Sequence, residues 1–276
     1  MLHTIPGALI RATVVKRPSA SIKSPYVADI VLEDGTTALC HTPSLGCCGL
    51  VERDRIVYVV AAKPESKCKT AYTVQIAECK DTIDDTIYYV GIHPLVSQVA
   101  ARGLLQEISS EATWKSEVKI NAETRIDYVG TLPNNKKIYV EVKTAPVSVE
   151  LKLPRSERRA IFPEGYRKKP TDTISPRAVK HAHTLHELVT RENTEACVLL
   201  YIVPRNDCNK GLIINPTDPI YRNAVSEAHD AGVQVRAFSL NYELNGTIHK
   251  YDELNIVFNT SSNTSNTSKT VSNTSS

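Results

Sequence analysis

At 276 residues, 41% of them hydrophobic, the chain is long enough to bury a sizeable core and ordinary in composition for a globular protein. No run of about 18 apolar residues marks a membrane span, and the start, Met1-Leu2-His3-Thr4-Ile5-Pro6-Gly7, lacks the basic segment and apolar core of a secretory signal. No membrane role is expected, and the expected location is cytoplasmic or nuclear. Seven cysteines form an odd set with no framework spacing, so free thiols in a reducing compartment are the better reading.

Residues 1–80 read as β structure. Short apolar runs at 8–15, 26–32, 55–62 and 71–77 carry Val, Ile and Tyr, with turn signals at Asp34-Gly35, Pro43-Ser44 and Lys63-Pro64-Glu65. Strands at this spacing suggest a small barrel or sandwich. An OB-like barrel would be a natural nucleic-acid platform, but the pattern does not choose between barrel types. His41, Cys47 and Cys48 are a near-cluster that reads either as a metal site or as small residues in a glycine-bearing turn; the turn is preferred.

From Asp81 the pattern changes. His93-Pro94 precedes an apolar stripe at helical spacing: Leu95, Val96, Val99, Ala100, Leu104 and Leu105. Strand-like segments follow at 113–120, 125–129 and 137–144. Ser175-Pro176 opens a helix to about residue 192, with Ser at the N-cap and Pro in the first turn. Residues 196–203 form the continuous apolar run of a buried strand. A last helix at 219–231 is ended by Gly232 before a strand at 233–240. This order is an α/β unit, so the expected division is 1–80 and 81–258. Residues 259–276 repeat Asn-Thr-Ser with almost no apolar side chain, predict a disordered tail, and contain sequons that read as chance products of the repeat.

Charge is unevenly placed. Residues 151–180 hold nine Lys or Arg against three acids. That excess suits a polyanion or a solvated loop. His181, His183 and His186 fall close together on the helix that follows. As a metal site they lack a carboxylate neighbour apart from Glu187. Lys180 and His181 near a helix N-terminus fit phosphate better.

The informative stretch is Arg125-Ile126-Asp127-Tyr128, the turn Pro133-Asn134-Asn135, then Tyr139-Val140-Glu141-Val142-Lys143. Alternation puts Arg125 and Asp127 on one strand face, and Glu141 and Lys143 on one face of the next. Pairing across the turn brings Asp127 beside Glu141, on a polar face backed by Val140 and Val142. Two carboxylates and the Val142 carbonyl offer three oxygen ligands to a hard cation such as Mg2+ or Mn2+. Such a site polarises a phosphodiester and activates water, with Lys143 positioned to stabilise developing charge. The competing reading is an exposed strand face carrying Asp, Glu and Lys for solubility.

Lys115-Ser116-Glu117-Val118-Lys119, Arg125-Ile126-Asp127 and Glu141-Val142-Lys143 in this order resemble the core of the sugar fermentation stimulation protein A (SfsA) family. Ala28-Asp29, His41-Thr42-Pro43 with Gly46 and Gly49, Phe162-Pro163, Arg177 with Lys180-His181, and Asp218-Pro219 extend the likeness over about residues 8–242. The resemblance implies an N-terminal OB-fold and a restriction-endonuclease-like PD-(D/E)xK α/β domain acting on DNA or RNA. It makes Asp127 and Glu141 metal ligands and Lys143 the catalytic lysine. Glu117 then adds a carboxylate or is a surface strand residue, and Arg125 holds a phosphate or pairs with a carboxylate. Arg177, Lys180 and His181 would meet nucleic acid. The insertion with Arg167-Lys168-Lys169 either extends the substrate track or is a loop. The chain departs from the family at Gly91-Ile92-His93-Pro94 and Ser97-Gln98, where an Asn-containing motif is usual, and residues 95–105 offer no acid as a helix carboxylate. Dimerisation is common in nucleases of this fold, so a homodimer is a further expectation. The rival function is a nucleic-acid-binding regulator with a vestigial site.

Overall fold

The computed structural model describes residues 1–63, 68–122, 124–165, 169 and 171–258. In chain order the strands and helices begin with β1 (His3–Thr4), β2 (Ile10–Lys16), β3 (Val27–Leu32), β4 (Thr37–His41), β5 (Ile56–Ala61), β6 (Tyr72–Lys80) and β7 (Ile87–Gly91). Then come α1 (Pro94–Arg102), α2 (Leu105–Ile108), β8 (Thr113–Lys119), β9 (Arg125–Thr131), β10 (Lys137–Thr144), β11 (Ser148–Val149) and β12 (Arg159–Phe162). The order closes with α3 (Pro176–Val189), β13 (Thr194–Val203), β14 (Gly211–Ile214), α4 (Pro219–Asp230), β15 (Gln234–Tyr242), β16 (Thr247–Glu253) and β17 (Ile256–Val257). The tail at 259–276, Arg167 and Lys168 lie outside the described residues.

Val, Ile and Ala alternating inward along β2, β3, β5 and β6 make the first sheet, ordered β4-β3-β2-β5-β6-β7. A parallel pairing of Cys40-His41 with Tyr72-Thr73 joins β4 to β6 and closes five strands into a barrel. Arg17 braces its longest turn: the guanidinium donates to the carbonyls of Pro25 and Ser44, both at 3.0 Å, and also to those of Leu45 and Gly46 and to Glu52. The turn it holds contains Cys47, Cys48 and Gly49 in consecutive left-handed conformations. Cys40, Cys47, Cys79, Cys197 and Cys208 are buried free thiols.

The second sheet runs β1-β16-β15-β13-β10-β9-β8, with β10, β13 and β15 parallel and its flanking strands antiparallel. Tyr139, Cys197, Leu199 and Tyr201 face α3 and α4, while Val140, Val142, Val198 and Leu200 face α1 and the outer wall of the barrel. Ser175 caps α3 by accepting from the Ala178 amide. That helix buries Ala178, Ala182, Leu185 and Leu188 at spacings of three and four. Each fully buried leucine contributes on the order of 2 kcal/mol. A small sheet, β11-β12-β14-β17, covers one end.

Several expectations change here. The barrel sheet continues through β7 to Gly91, and β1 belongs to the second sheet, so the chain crosses between the two units on both sides of residue 80. The face of β10 bearing Glu141 is not an open polar face, because helices cover both sides of a central parallel strand. The stripe read for α1 is rotated: Leu95 and Val99 are exposed, and Ser97, Ala100 and Ala101 are buried. The reason is local, since Ser97 lies 3.3 Å from the buried Tyr242 hydroxyl and the helix stops at Arg102. No helix among the described residues is long and apolar enough to cross a membrane.

Candidate active site

The β9–β10 hairpin pairs Lys137 with Thr131, Ile138 with Gly130, Tyr139 with Val129 and Val140 with Tyr128, and then stops. Beyond that point Asp127 fills the opening: its Oδ2 accepts the Val142 amide at 2.7 Å. Ile126 packs toward α3 and α4 whereas Tyr128 packs toward α1, so simple alternation fails around Asp127. The carboxylates still converge, because the strands part where Asp127 turns inward.

Glu141 is only 1% exposed. Its Oε1 accepts from Lys143 Nζ at 2.6 Å and meets His181 Nδ1. Lys143 also donates to the Val142 carbonyl at 3.3 Å and lies 3.1 Å from His181 Nδ1. Arg177 Nε approaches His181 Nε2 at 3.5 Å. Burial pushes the Glu141 carboxyl up, but the His181 hydrogen bond and the Lys143 charge outweigh it and hold Glu141 below its ordinary value. Asp127 moves the other way. Burial first, then repulsion from Glu141, raises it to about 6. The two neighbouring carboxyls are thus driven apart, Asp127 up and Glu141 down.

A cleft of about 960 Å3 opens onto this cluster. Asp127, Glu141, Val142 and Lys143 line it together with Gln98 of α1, Arg177 of α3 and the barrel turn at 44–49. The start of α3 is fixed there by Asp218, which accepts from Thr173 and from the Ile174 amide while capping α4.

The remaining residues singled out in the sequence divide. Glu117 is linked to Asp127 through Gln98 Nε2, which donates to Glu117 at 3.1 Å and to Asp127 at 2.8 Å. Arg125 is exposed with a loose 3.9 Å approach to Glu117. Lys180 lies exposed on α3, and Arg177 reaches the cleft. His181 is a correction: it is buried against Glu141 and Lys143 instead of facing solvent as a phosphate ligand. His183 points outward, so the three histidines do not gather. The basic stretch is also partly internal. Arg158 is buried against Asp81 at 2.7 Å and Asp207 at 3.4 Å, Arg155 pairs with Asp81, and Arg159 pairs with Glu150. The sequence marked Gln98 only as part of a departure from the family's Asn-containing motif, and the barrel turn only as a glycine-bearing turn; neither was assigned to the site that both line.

Among the described residues no three His, Cys, Asp or Glu side chains converge as a ready metal cage. The donor set at Asp127, Glu141 and the Val142 carbonyl nevertheless fits a hard cation. Glu141 Oε2 is buried without a hydrogen-bond partner. A carboxylate oxygen left so is costly unless a ligand completes it.

Residues 92–246 match the family model described as the sugar fermentation stimulation protein RE domain. A sugar fermentation stimulation protein homolog of Rhodospirillum centenum is 30% identical over 234 residues, 83% of this chain and 89% of that protein. The homolog of Caulobacter vibrioides is 30% identical over 241 residues, 85% of this chain and 89% of its own. In fold, the chain resembles SfsA of Pyrococcus furiosus, whose structure was solved in complex with Ca2+. The TM-score is 0.69 at 21% identity, covering 93% of this chain and 98% of that one. A model match over more than half the sequence and relatives aligned along nearly their whole length place this chain in the SfsA family.

Proposed function

We propose that this protein is a divalent-cation-dependent nuclease that hydrolyses phosphodiester bonds in DNA or RNA. The observation that carries the reading is the buried Glu141, with one oxygen held by Lys143 and His181 and the other unpartnered, beside Asp127 in an open cleft. The order Asp127, Glu141-x-Lys143 on a central strand and its antiparallel neighbour supports a PD-(D/E)xK domain. The barrel order, closed by a parallel pairing of its third and fifth strands, supports an OB-type platform that grips the nucleic-acid backbone.

Asp127, Glu141 and the Val142 carbonyl would hold Mg2+ or Mn2+, and the Ca2+ of the Pyrococcus furiosus complex supports an oxygen-rich cation site in this family. A cation there supplies polarisation of the scissile phosphate and a nucleophilic water at neutral pH. The chain's own groups do the rest. Lys143 holds its ammonium charge beside Glu141 in the cleft, where it would stabilise the negative charge gathered by the phosphorane-like transition state. Glu141 fixes the direction of that ammonium group, and His181 fixes Glu141. Arg177 at the cleft wall orients a phosphate. In the hydrolysis, water oxygen bonds to phosphorus and gives up a proton, the bond from phosphorus to one sugar oxygen breaks, and that oxygen leaves with a proton.

The experiment is incubation of purified protein with single- and double-stranded DNA and RNA, with Mg2+, Mn2+ or EDTA. Lys143→Ala and Asp127→Ala run in parallel. Cleavage that requires metal and disappears in both variants is the expected result. Binding without cleavage under every condition would overturn the nuclease and leave a nucleic-acid-binding regulator.

A further inference from the structure

Helix α1 brings a neutral side chain to the acidic side of the site. Gln98 Nε2 lies 2.8 Å from Asp127 Oδ1 and 3.1 Å from Glu117 Oε1. Two carboxylates accept and cannot donate, so the nitrogen end of the amide must face them, each hydrogen serving one acid. The helix is held in place by its main chain as well, since the Tyr128 hydroxyl donates to the Gln98 carbonyl at 2.8 Å. Glu117 stands opposite Asp127 in the β8–β9 ladder, between the pairs Ser116–Tyr128 and Val118–Ile126. Asp127 is therefore flanked by an acid on each side, Glu141 on β10 and Glu117 on β8.

Hydrolytic sites with two cations space them about 3.5–4 Å apart and share a carboxylate between them. Asp127 is the residue that could be shared here. We propose that the Gln98 amide occupies the place between Asp127 and Glu117 that a second divalent cation would need, so that the site takes a single cation at Asp127 and Glu141. This rests on the metal-site reading above and adds to it a stoichiometry and the residue that sets it. The amide donates to Asp127 Oδ1 and to Glu117 Oε1, so one oxygen of each acid is already engaged by partial positive charge. A carboxylate in its place would do the opposite, adding a third anionic ligand and removing both hydrogens.

The test is direct Mn2+ binding to the full chain near neutral pH, by calorimetry and by loss of the free Mn2+ signal in electron paramagnetic resonance. Wild type is expected to bind one Mn2+. Gln98→Glu, nearly isosteric on a partly exposed side chain, is expected to bind two, and Glu117→Gln in that background to return the count to one. Gln98→Ala opens the same space without adding charge and is expected to admit a second Mn2+ more weakly, which keeps the test decisive if the Glu variant misfolds. Two Mn2+ on wild type, or one on both folded Gln98 variants, overturns the inference alone. No Mn2+ on wild type overturns the metal site and this inference with it. A protein that binds one Mn2+ and two after Gln98→Glu, yet cuts no nucleic acid, sustains the inference and sinks the nuclease.

Discussion

Asp127 accepts the Val142 amide at 2.7 Å, in the position where the β9–β10 ladder would have made its next bond. The side chain thus ends the pairing of two strands and simultaneously sets one carboxylate beside another. Its orientation is determined by backbone, so the site is built into the sheet instead of carried on a loop.

Lys143 and His181 share one oxygen of Glu141, and their roles should separate kinetically. Lys143→Ala is expected to lower kcat on the order of 100-fold or more while leaving nucleic-acid affinity nearly unchanged. His181→Ala is expected to lower kcat roughly 10- to 100-fold through loss of Glu141 orientation. His181→Gln, which can still donate to Glu141, should recover part of that loss at unchanged KM. Single-turnover kinetics with matched binding isotherms make the distinction.

The raised Asp127 pKa has a defined sign. The folded state holds this proton up to about pH 6, whereas the unfolded chain releases it near the ordinary value of 3.8. Between those values the native state binds more protons, so the contribution is complete below about pH 3.8 and is lost as pH rises through 6. Without divalent cation, the melting temperature of wild type relative to Asp127→Asn should decline from about pH 4 to pH 7. Added Mg2+ should stabilise wild type more above pH 6 than below it, because the proton competes for the same carboxylate. A difference in melting temperature that stays flat with pH contradicts this assignment.

Gly91 ends the barrel sheet against the second sheet with no space for a side chain. A Cβ there would lie 2.3 Å from Tyr242 Cζ and 2.4 Å from its hydroxyl, and both residues are buried. Gly91→Ala is expected to destabilise by about 1–3 kcal/mol. Urea titration should show a lower midpoint with an unchanged slope.

Asp81 joins the barrel side to the small sheet through the buried Arg158, with bonds of 2.7 and 2.8 Å, and through Arg155 at 2.9 Å. The Arg158 hydrogen bonds, working against burial, hold the Asp81 carboxyl well below the usual range. Its stabilisation is present above the ordinary carboxylate pKa and is lost as pH falls toward the depressed one. Asp81→Ala leaves the buried Arg158 guanidinium with only Asp207 at 3.4 Å and the Leu153 carbonyl and should cost roughly 3–5 kcal/mol, whereas Asp81→Ala with Arg158→Met should recover much of that. Chemical denaturation of the two variants side by side provides the comparison.

Much of this was legible in the amino-acid order. The limits of β10 and the starts of α3 and α4 follow from apolar runs, Ser175-Pro176 and Asp218-Pro219, all local signals. Glu141 and Lys143 were readable because a short motif and its strand coincide. The role of His181 was not, since 40 residues separate it from Glu141 and only the packing of α3 on β10 joins them. Arg158 looked like a surface cation because its partners, Asp81 and Asp207, lie 77 and 49 residues away. Strands β11, β12, β14 and β17 were missed for a related reason: two to four residues carry too little periodicity, and long-range pairing alone makes them strands.

The pairing of His3–Thr4 with β16, flanked by bonds from Leu2 to Ile248 and from Ile5 to Gly246, bears on how the protein can be dissected. A fragment starting at residue 92, where the family model begins, would retain the carboxylates and the lysine but lose the outermost strand of their sheet. Its new margin would be the unpaired backbone of β16, with the apolar seat of Ile5 uncovered. Such a margin is a template for pairing with other copies. Fragments that begin at residue 92 should therefore aggregate, and supplying residues 1–9 as a separate peptide or a linked segment should restore their solubility.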